Sequence, residues 1–320
     1  MSAADSLPTI EDVLHASQRI RPHAHRTPLL TSRTIDAMTG ASVWFKCENF
    51  QRGGAFKFRG ATNAVFSLGD AEARRGVATH SSGNHAQALA LAARLRGIDA
   101  HIVMPQDAPR VKVDAVRGYG ARITFSGSAP KDRETTLKEL LSKIGAEFVH
   151  PSDDPRVIAG QGTCALEILQ DVPDLDMVVT PVGGGGLLSG TAITVRAVSP
   201  RTRVIGAEPS AADDASRSFH TGTLFPSDNP RTVADGLRTS LGPNTFPIVR
   251  AKVADIVTVS EEAIIEATRF TWERMKVVIE PSAAVPLAAI MEKKLDVRGM
   301  RVAIVLSGGN VDLGSLPWMK

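Results

Sequence analysis

Lys57 is the residue of this chain whose neighbours most directly indicate chemistry. It stands between two phenylalanines and is bracketed by glycines, in the string Gly53-Gly54-Ala55-Phe56-Lys57-Phe58-Arg59-Gly60-Ala61. Flanking aromatic side chains indicate partial desolvation, which disfavours the ammonium form and lowers the pKa of the amine. An amine of this kind can form a Schiff base with a carbonyl compound. The same string also fits a lysine whose apolar stem covers a strand edge while its charged end reaches solvent.

Two further loops place small polar residues directly after apolar segments. The string Ser81-Ser82-Gly83-Asn84-His85 supplies hydroxyls, an amide and free backbone N–H groups, which can hold a carboxylate at a helix N-terminus. An ordinary N-cap turn is the alternative. The string Ser307-Gly308-Gly309-Asn310 follows the apolar residues 302–306. A serine at the end of a strand can form a neutral hydrogen bond to a ring nitrogen, and a tight turn is the alternative.

Four consecutive glycines, Gly183-Gly184-Gly185-Gly186, stand between an apolar strand and a helix that begins near Leu187. The backbone of this tetraglycine loop can surround an anion with successive N–H groups, and the dipole of the following helix adds to the attraction. These features favour a phosphate site. A dinucleotide site is the rival interpretation, because Glu208 lies about twenty residues further on, where a ribose-binding acid is expected. The spacing G-x-G-x-x-G is absent from residues 183–190, however, and no P-loop lysine follows.

Acidic residues cluster after the next predicted strand. Glu208, Asp213 and Asp214 suggest a site for a hard cation that is bound by oxygen atoms. Acidic residues at the start of a helix are the alternative, since they interact favourably with the helix dipole. The eight histidines are not spaced as zinc ligands, and no G-x-S-x-G elbow is present.

The elements that position these loops alternate along the chain. Apolar, mostly β-branched runs predict strands, and Ala- and Leu-rich or amphipathic stretches between them predict helices. Strands are predicted at residues 42–47, 76–79, 101–104, 122–125, 177–180, 204–207 and 302–306, and helices at 85–96, 129–144 and 261–275, the last with Ser260 as N-cap. The alternation predicts an α/β fold with parallel sheets that are covered on both faces.

The length and composition indicate a protein of about two domains. The chain has 320 residues, and short β-α units predict a small domain at residues 75–149 between the two parts of a large domain, residues 1–74 and 150–320. A net charge of +3 without a basic block gives no support to nucleic-acid binding. No run of about 18 apolar residues predicts a membrane span. Cys47 and Cys164 suggest no disulfide framework, and the N-terminus does not look like a signal peptide, so a cytoplasmic location is predicted.

Together these strings resemble the pyridoxal-phosphate enzymes of the serine/threonine dehydratase and serine racemase family, which includes 3-hydroxyaspartate ammonia-lyases. The resemblance covers nearly the whole chain. Its markers are Phe56-Lys57-Phe58-Arg59-Gly60-Ala61, residues 81–87, Gly160-Gln161-Gly162-Thr163, the tetraglycine loop and residues 307–310. It implies the two-domain parallel-sheet fold of the tryptophan synthase beta-like type, pyridoxal 5'-phosphate as cofactor, an amino-acid substrate and a homodimer.

The resemblance also implies a role for each residue of these loops. Lys57 is expected to bind the cofactor covalently and to act as the base at the substrate Cα, and Ser82 to be the acid/base on the opposite face. The residues expected to hold the cofactor are Phe56, Lys57, Asn84, Gly183, Gly184, Gly185, Gly186 and Ser307. Those expected to contact the substrate are Ser81, Ser82, Asn84, His85, Arg133 and Thr239. Glu208, the Ala212 carbonyl and Asp214 are expected to bind Mg²⁺ or a similar divalent cation.

The implied reaction is β-elimination from a β-hydroxy amino acid, which yields ammonia and a 2-oxo or imino acid. Arg133 aligns with a family arginine, and its planar fork would favour a second carboxylate, so 3-hydroxyaspartate is a candidate beside L-serine and L-threonine. A solvated helix residue next to Glu134 is the alternative for Arg133. Many dehydratases of the family carry alanine where this chain has Ser82, which makes a serine or aspartate-type racemase the alternative function. A dinucleotide-dependent oxidoreductase is a more distant one.

Overall fold

The computed structural model describes residues 7–81, 83–108 and 110–319, and Ser82 lies outside them. The strands of the described part are β1 (Leu29–Thr31), β2 (Ser42–Cys47), β3 (Val77–His80), β4 (Ala100–Pro105), β5 (Arg122–Ser126), β6 (Glu147–Phe148), β7 (Met177–Pro181), β8 (Arg203–Pro209), β9 (Asp255–Val259) and β10 (Arg301–Leu306). The helices are α1 (Ile10–Ile20), α2 (Arg33–Thr39), α3 (Lys57–Ser67), α4 (Asp70–Ala73), α5 (Asn84–Arg96), α6 (Arg110–Gly118), α7 (Pro130–Ile144), α8 (Pro155–Asp171), α9 (Gly186–Val198), α10 (Asp214–Thr221), α11 (Thr245–Lys252), α12 (Glu261–Phe270) and α13 (Pro281–Met291).

These strands form two sheets. The larger has the order β1-β2-β10-β7-β8-β9, in which β1 runs antiparallel to β2 and the other pairs are parallel. The smaller has the order β5-β4-β3-β6 and is parallel throughout. Neighbouring parallel strands end at the same edge of a sheet, so the loops that follow β7 and β10 lie side by side.

The predicted α/β fold with parallel sheets is confirmed. The seven predicted strands occur within one or two residues of their predicted bounds, whereas β1, β6 and β9 were not predicted. Two of these are three residues or shorter, and β9 is only partly buried, so none has the apolar run of a central strand. The predicted helix at 261–275 is α-helical only to Phe270 and ends in a π-helical turn, Thr271–Met275. The bounds of the two domains remain a proposal.

The larger sheet is buried on both faces, and its central strands send alternate side chains to each side. On β10, Val302 and Ile304 pack into one apolar cluster with α12 and α13. Ala303 and Val305 pack into a second cluster with α8, α9 and α11. Burial on both faces explains why β7 and β10 are continuous apolar runs without the polar alternation of a half-exposed strand.

Close helix crossings determine where α3, and with it Lys57, is held. A Cβ atom on Gly160 of α8 would lie 2.6 Å from the Gly60 Cα of α3, so a side chain is excluded there. The Gly60 N–H donates to Gln161 Oε1 at 3.1 Å across the same crossing. The next crossing, between α8 and α9, is equally close, because a Cβ on Gly190 would lie 2.5 Å from the Gly162 nitrogen. The glycines of the Gly160-Gln161-Gly162-Thr163 marker are therefore packing residues.

A buried group of four charged side chains lies under the Lys57 loop. The Arg59 guanidinium donates to both carboxylate oxygens of Glu48 and to both of Glu167, each at 2.8 Å. Lys46 Nζ donates to Glu167 Oε2 at 2.6 Å and to the Thr27 carbonyl at 2.7 Å. Two cations and two carboxylates make the group neutral, which is the condition under which charges can be buried. It joins β2 and the start of α3 to α8.

Candidate functional site

The loop before α3 is paired with the loop after β10. The Phe56 N–H donates to the Ser307 carbonyl at 3.0 Å, and the Gly309 N–H donates to the Gly54 carbonyl at 2.9 Å. A Cβ on Gly54, which has a φ of +71°, would lie 2.4 Å from the Asn310 side chain. The glycines thus allow close backbone contact between the loop that precedes Lys57 and the loop that begins at Ser307.

Lys57 begins α3, and its side chain is half-buried. Its Nζ donates to the Pro151 carbonyl at 2.7 Å and lies 5.2 Å from the centre of the Phe56 ring. Burial lowers the pKa of the Lys57 amine to about 8, and the nearby Glu280 carboxyl opposes that change by raising it. A lysine with this pKa has a substantial fraction of nucleophilic free amine at neutral to mildly alkaline pH, so the snorkelling interpretation does not describe it.

The tetraglycine loop is enclosed on two sides by other segments of the chain. A Cβ on Gly184 would lie 2.2 Å from Ser152 Oγ, and a Cβ on Gly183 would lie 2.9 Å from the Leu237 Cα and 3.2 Å from Thr239 Oγ1. Gly185 has a φ of +80° and leads directly into α9. The first N–H groups of α9 have no partner within the helix, so they are available to an anion. Thr239 is exposed beside this loop.

Asn84, the first residue of α5, connects the small sheet to the large one. Its Nδ2 donates to the Glu280 carboxylate oxygens at 2.9 and 3.2 Å, and its Oδ1 accepts from Asn310 Nδ2 at 2.9 Å. Asn310 Nδ2 also donates to the Gly53 carbonyl at 2.7 Å. The amide of Asn84 therefore has a defined orientation between the Lys57 loop and the loop that follows β10.

The other residues expected at the substrate lie on the small-sheet side. Ser81 Oγ accepts from the Gly83 N–H at 3.2 Å. His85 is buried, its Nε2 contacts the Val149 carbonyl at 3.2 Å, and burial, with the nearby Lys57, lowers its pKa well below the ordinary value. The ring is therefore neutral, and its Nδ1 has no hydrogen-bond partner among the described residues. Ser82 lies outside the described residues, so its expected role is unchanged.

Arg133 on α7 lies close to His80 at the end of β3. Burial lowers the pKa of His80, and the Arg133 charge lowers it further. The Arg133 Nε is buried, and within the described ranges it donates to no acceptor. A buried N–H of a guanidinium group without an acceptor is costly, and a ligand carboxylate is the kind of group that satisfies it. Arg133 as a whole is half-buried, so its inner Nε is shielded while the rest of the side chain is partly exposed.

Glu208, near the end of β8, and Asp214, the first residue of α10, are two buried acidic residues. Glu208 accepts from the Ala215 N–H at 3.0 Å and from the Ser216 N–H at 2.8 Å, and burial raises its pKa to about 9. Both carboxylate oxygens of Asp214 are buried without a hydrogen-bond partner in the described part of the chain, and burial raises its pKa to about 6. Ala212 is buried in the turn between them. No group of three or more His, Cys, Asp or Glu side chains suited to a metal occurs in residues 7–81, 83–108 and 110–319. Any cation would therefore need backbone oxygens as well.

Comparison with known proteins identifies the chemistry of the lysine site. A family model described as pyridoxal-phosphate dependent enzyme matches residues 20–308. The chain belongs to this family. In this pyridoxal-phosphate enzyme, Glu208 is occupied by two backbone N–H groups, which does not suit the ribose-binding acid of the dinucleotide alternative.

Related proteins of this family extend over the whole chain. A β-hydroxyaspartate dehydratase of Paracoccus denitrificans is 52% identical over 312 residues, which are 98% of this chain and 99% of that one. An L-threo-3-hydroxyaspartate ammonia-lyase of Saccharomyces cerevisiae is 49% identical and covers 96% of this chain and 94% of its own. The structure of maize serine racemase has a TM-score of 0.95 and 44% identity, over 98% of this chain and 97% of that chain. Among the described residues, no helix is both long and apolar enough to cross a membrane.

The residues present fit pyridoxal phosphate. The tetraglycine loop has room for backbone only, and it leads into the N-terminus of α9, as an anion site for the phosphate requires. Lys57 supplies an amine of lowered pKa. Ser307 is buried at the end of β10, where its hydroxyl can meet a ring nitrogen. The tetraglycine loop follows β7 and Ser307 follows β10, and these two strands are neighbours in the larger sheet. Lys57 follows Phe56, which is hydrogen-bonded to the Ser307 carbonyl.

The sequence analysis missed two partners of the expected site residues. Glu280 is a buried acid beside Asn84, and its signal was an acidic residue at the end of the apolar run 277–279, directly before Pro281. The Pro151 carbonyl is the acceptor of Lys57, and no sequence signal indicates it, because every residue has a carbonyl and only folding selects this one.

Proposed function

We propose that this chain is a pyridoxal-phosphate-dependent ammonia-lyase that eliminates the hydroxyl of a β-hydroxy amino acid and releases ammonia and a 2-oxo or imino acid. The observation that carries the proposal is the Lys57 amine, held at the Pro151 carbonyl with its pKa lowered to about 8. The family membership supports the cofactor. The activities in the names of the relatives, dehydratase and ammonia-lyase of hydroxyaspartate, support the reaction.

Each residue then has a task in holding the cofactor. The tetraglycine loop and the first turn of α9 bind the phosphate, Phe56 and Asn84 hold the ring, and Ser307 meets the ring nitrogen. When bound, pyridoxal phosphate withdraws electrons from the substrate Cα and so makes its proton acidic. Ser307 is neutral and brings no charge to the ring nitrogen, which favours prompt loss of the hydroxyl over side reactions.

Lys57 moves the proton. The free amine of Lys57, once the substrate amine has displaced it, accepts the Cα proton at Nζ, and its pKa near the working pH suits both accepting and returning a proton. The Pro151 carbonyl and the Phe56 ring limit the positions that Nζ can take. The Ser81 hydroxyl and the free backbone N–H groups of Asn84 and His85, in the first turn of α5, supply neutral donors for the substrate carboxylate, with Thr239 at the edge of the tetraglycine loop.

The proposed function is tested by measuring ammonia release from cofactor-loaded protein with L-serine, L-threonine and the 3-hydroxyaspartate stereoisomers, with chiral analysis of the remaining substrate. Ammonia release from one of these substrates supports the lyase. If D-serine accumulates from L-serine faster than ammonia is released, the alternative function, a racemase with Ser82 as the second acid/base, is favoured. The serine racemase structures with high similarity make this comparison necessary.

We infer that 3-hydroxyaspartate is the preferred substrate, because the buried Nε of Arg133, near His80, has no acceptor among the described residues. Arg133→Ala is expected to lower kcat/KM for 3-hydroxyaspartate by about 10- to 100-fold, the value of a hydrogen bond to a charged group, and that for L-serine by less than about 3-fold. Steady-state kinetics on both substrates checks this. Lys131→Ala, an exposed change on the same helix, is the control. An equal loss on both substrates would show that Arg133 does not bind the side-chain carboxylate.

We further propose that Glu208, the Ala212 carbonyl and Asp214 hold Mg²⁺ or a similar divalent cation. The two buried Asp214 oxygens, which have no hydrogen-bond partner within the described ranges, support it, since hard cations take carboxylate and carbonyl oxygens. A cation bound there would hold the segment between β8 and α10 together, away from the reacting atoms.

Cation binding is expected to strengthen as the pH rises. The raised pKa values of Asp214, about 6, and Glu208, about 9, mean that the metal-free folded protein holds protons that the unfolded chain has lost. The stability that these two groups contribute is therefore complete at low pH and is lost as the pH rises through those values. A cation replaces the protons, so Mg²⁺ should raise the Tm more at about pH 8.5 than at about pH 6.5. Thermal unfolding with Mg²⁺ or with a chelator measures this, and Asp214→Asn should remove the difference. An equal Tm in both conditions at both pH values would contradict the site.

We also propose that the protein is a homodimer. Phe50 and Val278 are exposed apolar residues on neighbouring segments, which the Asn49 side chain joins through a 3.1 Å hydrogen bond to the Val278 carbonyl. Such side chains are typical of a subunit interface. Sedimentation analysis at micromolar concentration distinguishes a dimer from a monomer. A cytoplasmic location stays a prediction of the sequence.

A further inference from the structure

Glu280 is a buried acid with no role in the reaction described so far. It occupies the N-cap position of α13, where an acidic side chain ordinarily accepts from the first N–H groups of its helix. Its carboxyl group makes no such bond and accepts instead from the Asn84 amide at 2.9 and 3.2 Å. A Cβ on Gly308 would lie 2.7 Å from Glu280 Oε1, so the loop after β10 leaves room for this carboxyl group by carrying glycine.

Charged groups reach Glu280 from three elements. Lys57, at the start of α3, is close enough for the Glu280 charge to raise its pKa. Asp235, in the short turn Asp235–Leu237, lies on another side, and its carboxylate pairs with Lys112 of α6 at 2.7 Å. Burial and the nearby Asp235 carboxylate together raise the pKa of Glu280 to about 8, against the lowering effects of the Asn84 hydrogen bond and the Lys112 charge. A Cβ on Gly236, the residue after Asp235, would lie 3.9 Å from Glu280 Oε1, so the turn that carries Asp235 adjoins the Glu280 carboxyl group. The electrostatic influence of the Lys112–Asp235 pair thus reaches Glu280, and that of Glu280 reaches Lys57.

We propose that Glu280 is a positioning residue of the cofactor site, which orients the Asn84 amide toward the cofactor and transmits the charges of Asp235 and Lys112 to Lys57. The proposal rests on the proposed function of Lys57. In the neutral form Glu280 leaves Lys57 as a free amine, and in the ionised form it favours the ammonium. The Lys112–Asp235 pair joins α6 of the small-sheet side to the large-sheet side, so its contact sets the balance between the two forms.

The orienting role is tested by cofactor retention. Glu280→Ala removes the acceptor of the Asn84 amide and is expected to weaken the binding of pyridoxal phosphate about 10-fold, the cost of leaving a buried donor unsatisfied. Glu280→Gln keeps an oxygen acceptor of the same reach and should stay within about 3-fold of the original protein. Equilibrium dialysis of the cofactor measures both variants. Equal weakening in both would show that the acceptor is not what matters.

The transmitting role is tested by adding pyridoxal phosphate to the cofactor-free protein at a series of pH values. At each pH, the rate at which the visible absorbance develops is measured. The midpoint of the curve of rate against pH reports the apparent pKa of Lys57. Glu280→Gln should lower it by about 0.5 to 1 pH unit, because the ionised carboxylate is gone. Asp235→Asn should lower the pKa of Glu280, so that Glu280 is ionised at a lower pH and raises the Lys57 midpoint. Lys112→Met should raise the pKa of Glu280, so that Glu280 stays neutral to a higher pH and the Lys57 midpoint falls.

The signs of the last two shifts decide the proposal. A direct effect of either charge on Lys57 would act in the opposite direction, since loss of a negative neighbour lowers the pKa of an amine and loss of a positive one raises it. Both shifts should also vanish when Glu280→Gln is present. Shifts of the direct sign, or shifts that persist with Glu280→Gln, would overturn the role of Glu280 alone. If Lys57→Ala still develops the same absorbance, the proposed function of Lys57 fails instead, whatever Glu280 does.

Discussion

Replacing Lys57 with alanine is expected to lower kcat by about 10⁴-fold or more and to abolish the visible absorbance of the lysine-bound cofactor. The change removes both the covalent attachment and the base at the substrate Cα, since the proposed function gives the two tasks to Lys57, an amine of lowered pKa. Stopped-time ammonia assays and absorbance spectra after addition of pyridoxal phosphate measure the two losses. The effect is larger than for any other single change considered for this site.

Borohydride reduction followed by peptide mapping gives the matched control, because it marks the lysine that carries the cofactor. The mark is expected on the peptide that contains Lys57. Lys46 is the informative comparison, as it too is buried, but its ammonium group is bound to Glu167 at 2.6 Å and to the Thr27 carbonyl at 2.7 Å. A mark on Lys46, or a Lys57→Ala protein that keeps its activity, would reject the assignment.

Arg59→Met is expected to give the largest loss of stability, about 3 to 5 kcal/mol in the free energy of unfolding. Methionine has a similar length but no charge, so among the described residues it leaves the buried Glu48 carboxylate with the Thr27 hydroxyl, at 2.5 Å, as its one remaining donor. Glu167 loses two of its bonds as well. Burial alone would raise the pKa of Glu167, and it is the bonds from Arg59 and Lys46 that lower it. Urea unfolding of the cofactor-free protein measures the loss.

An exposed arginine serves as the reference for this change. Arg122 pairs with Asp99 at 3.1 Å, and both side chains are more than half exposed. Arg122→Met should therefore leave the urea midpoint nearly unchanged, because solvent screens the pair. A similar midpoint shift for both variants would mean that the buried group of four charges contributes no more than an ordinary surface ion pair.

Much of this protein was readable from the order of its residues. Apolar runs such as 177–180 and 302–306 predicted central parallel strands because both faces of such a strand are buried, and they are β7 and β10. Lys57, the tetraglycine loop and Ser307 were recognisable since each is a local string at the end of a strand or the start of a helix. Those are the places where the parallel topology gathers loops at one edge.

Other features were decided only by the tertiary structure. Lys57 finds its acceptor 94 residues away at Pro151, and Asn84 finds Glu280 at a distance of 196 residues along the chain. Short or half-exposed strands such as β1 and β9 exist because they pair with a neighbour, and their own residues carry no strong signal. Local residue types therefore determined which elements form and which side chains are reactive. The pKa of each reactive group depended on burial and on charges from distant segments, which exist only once the chain has folded.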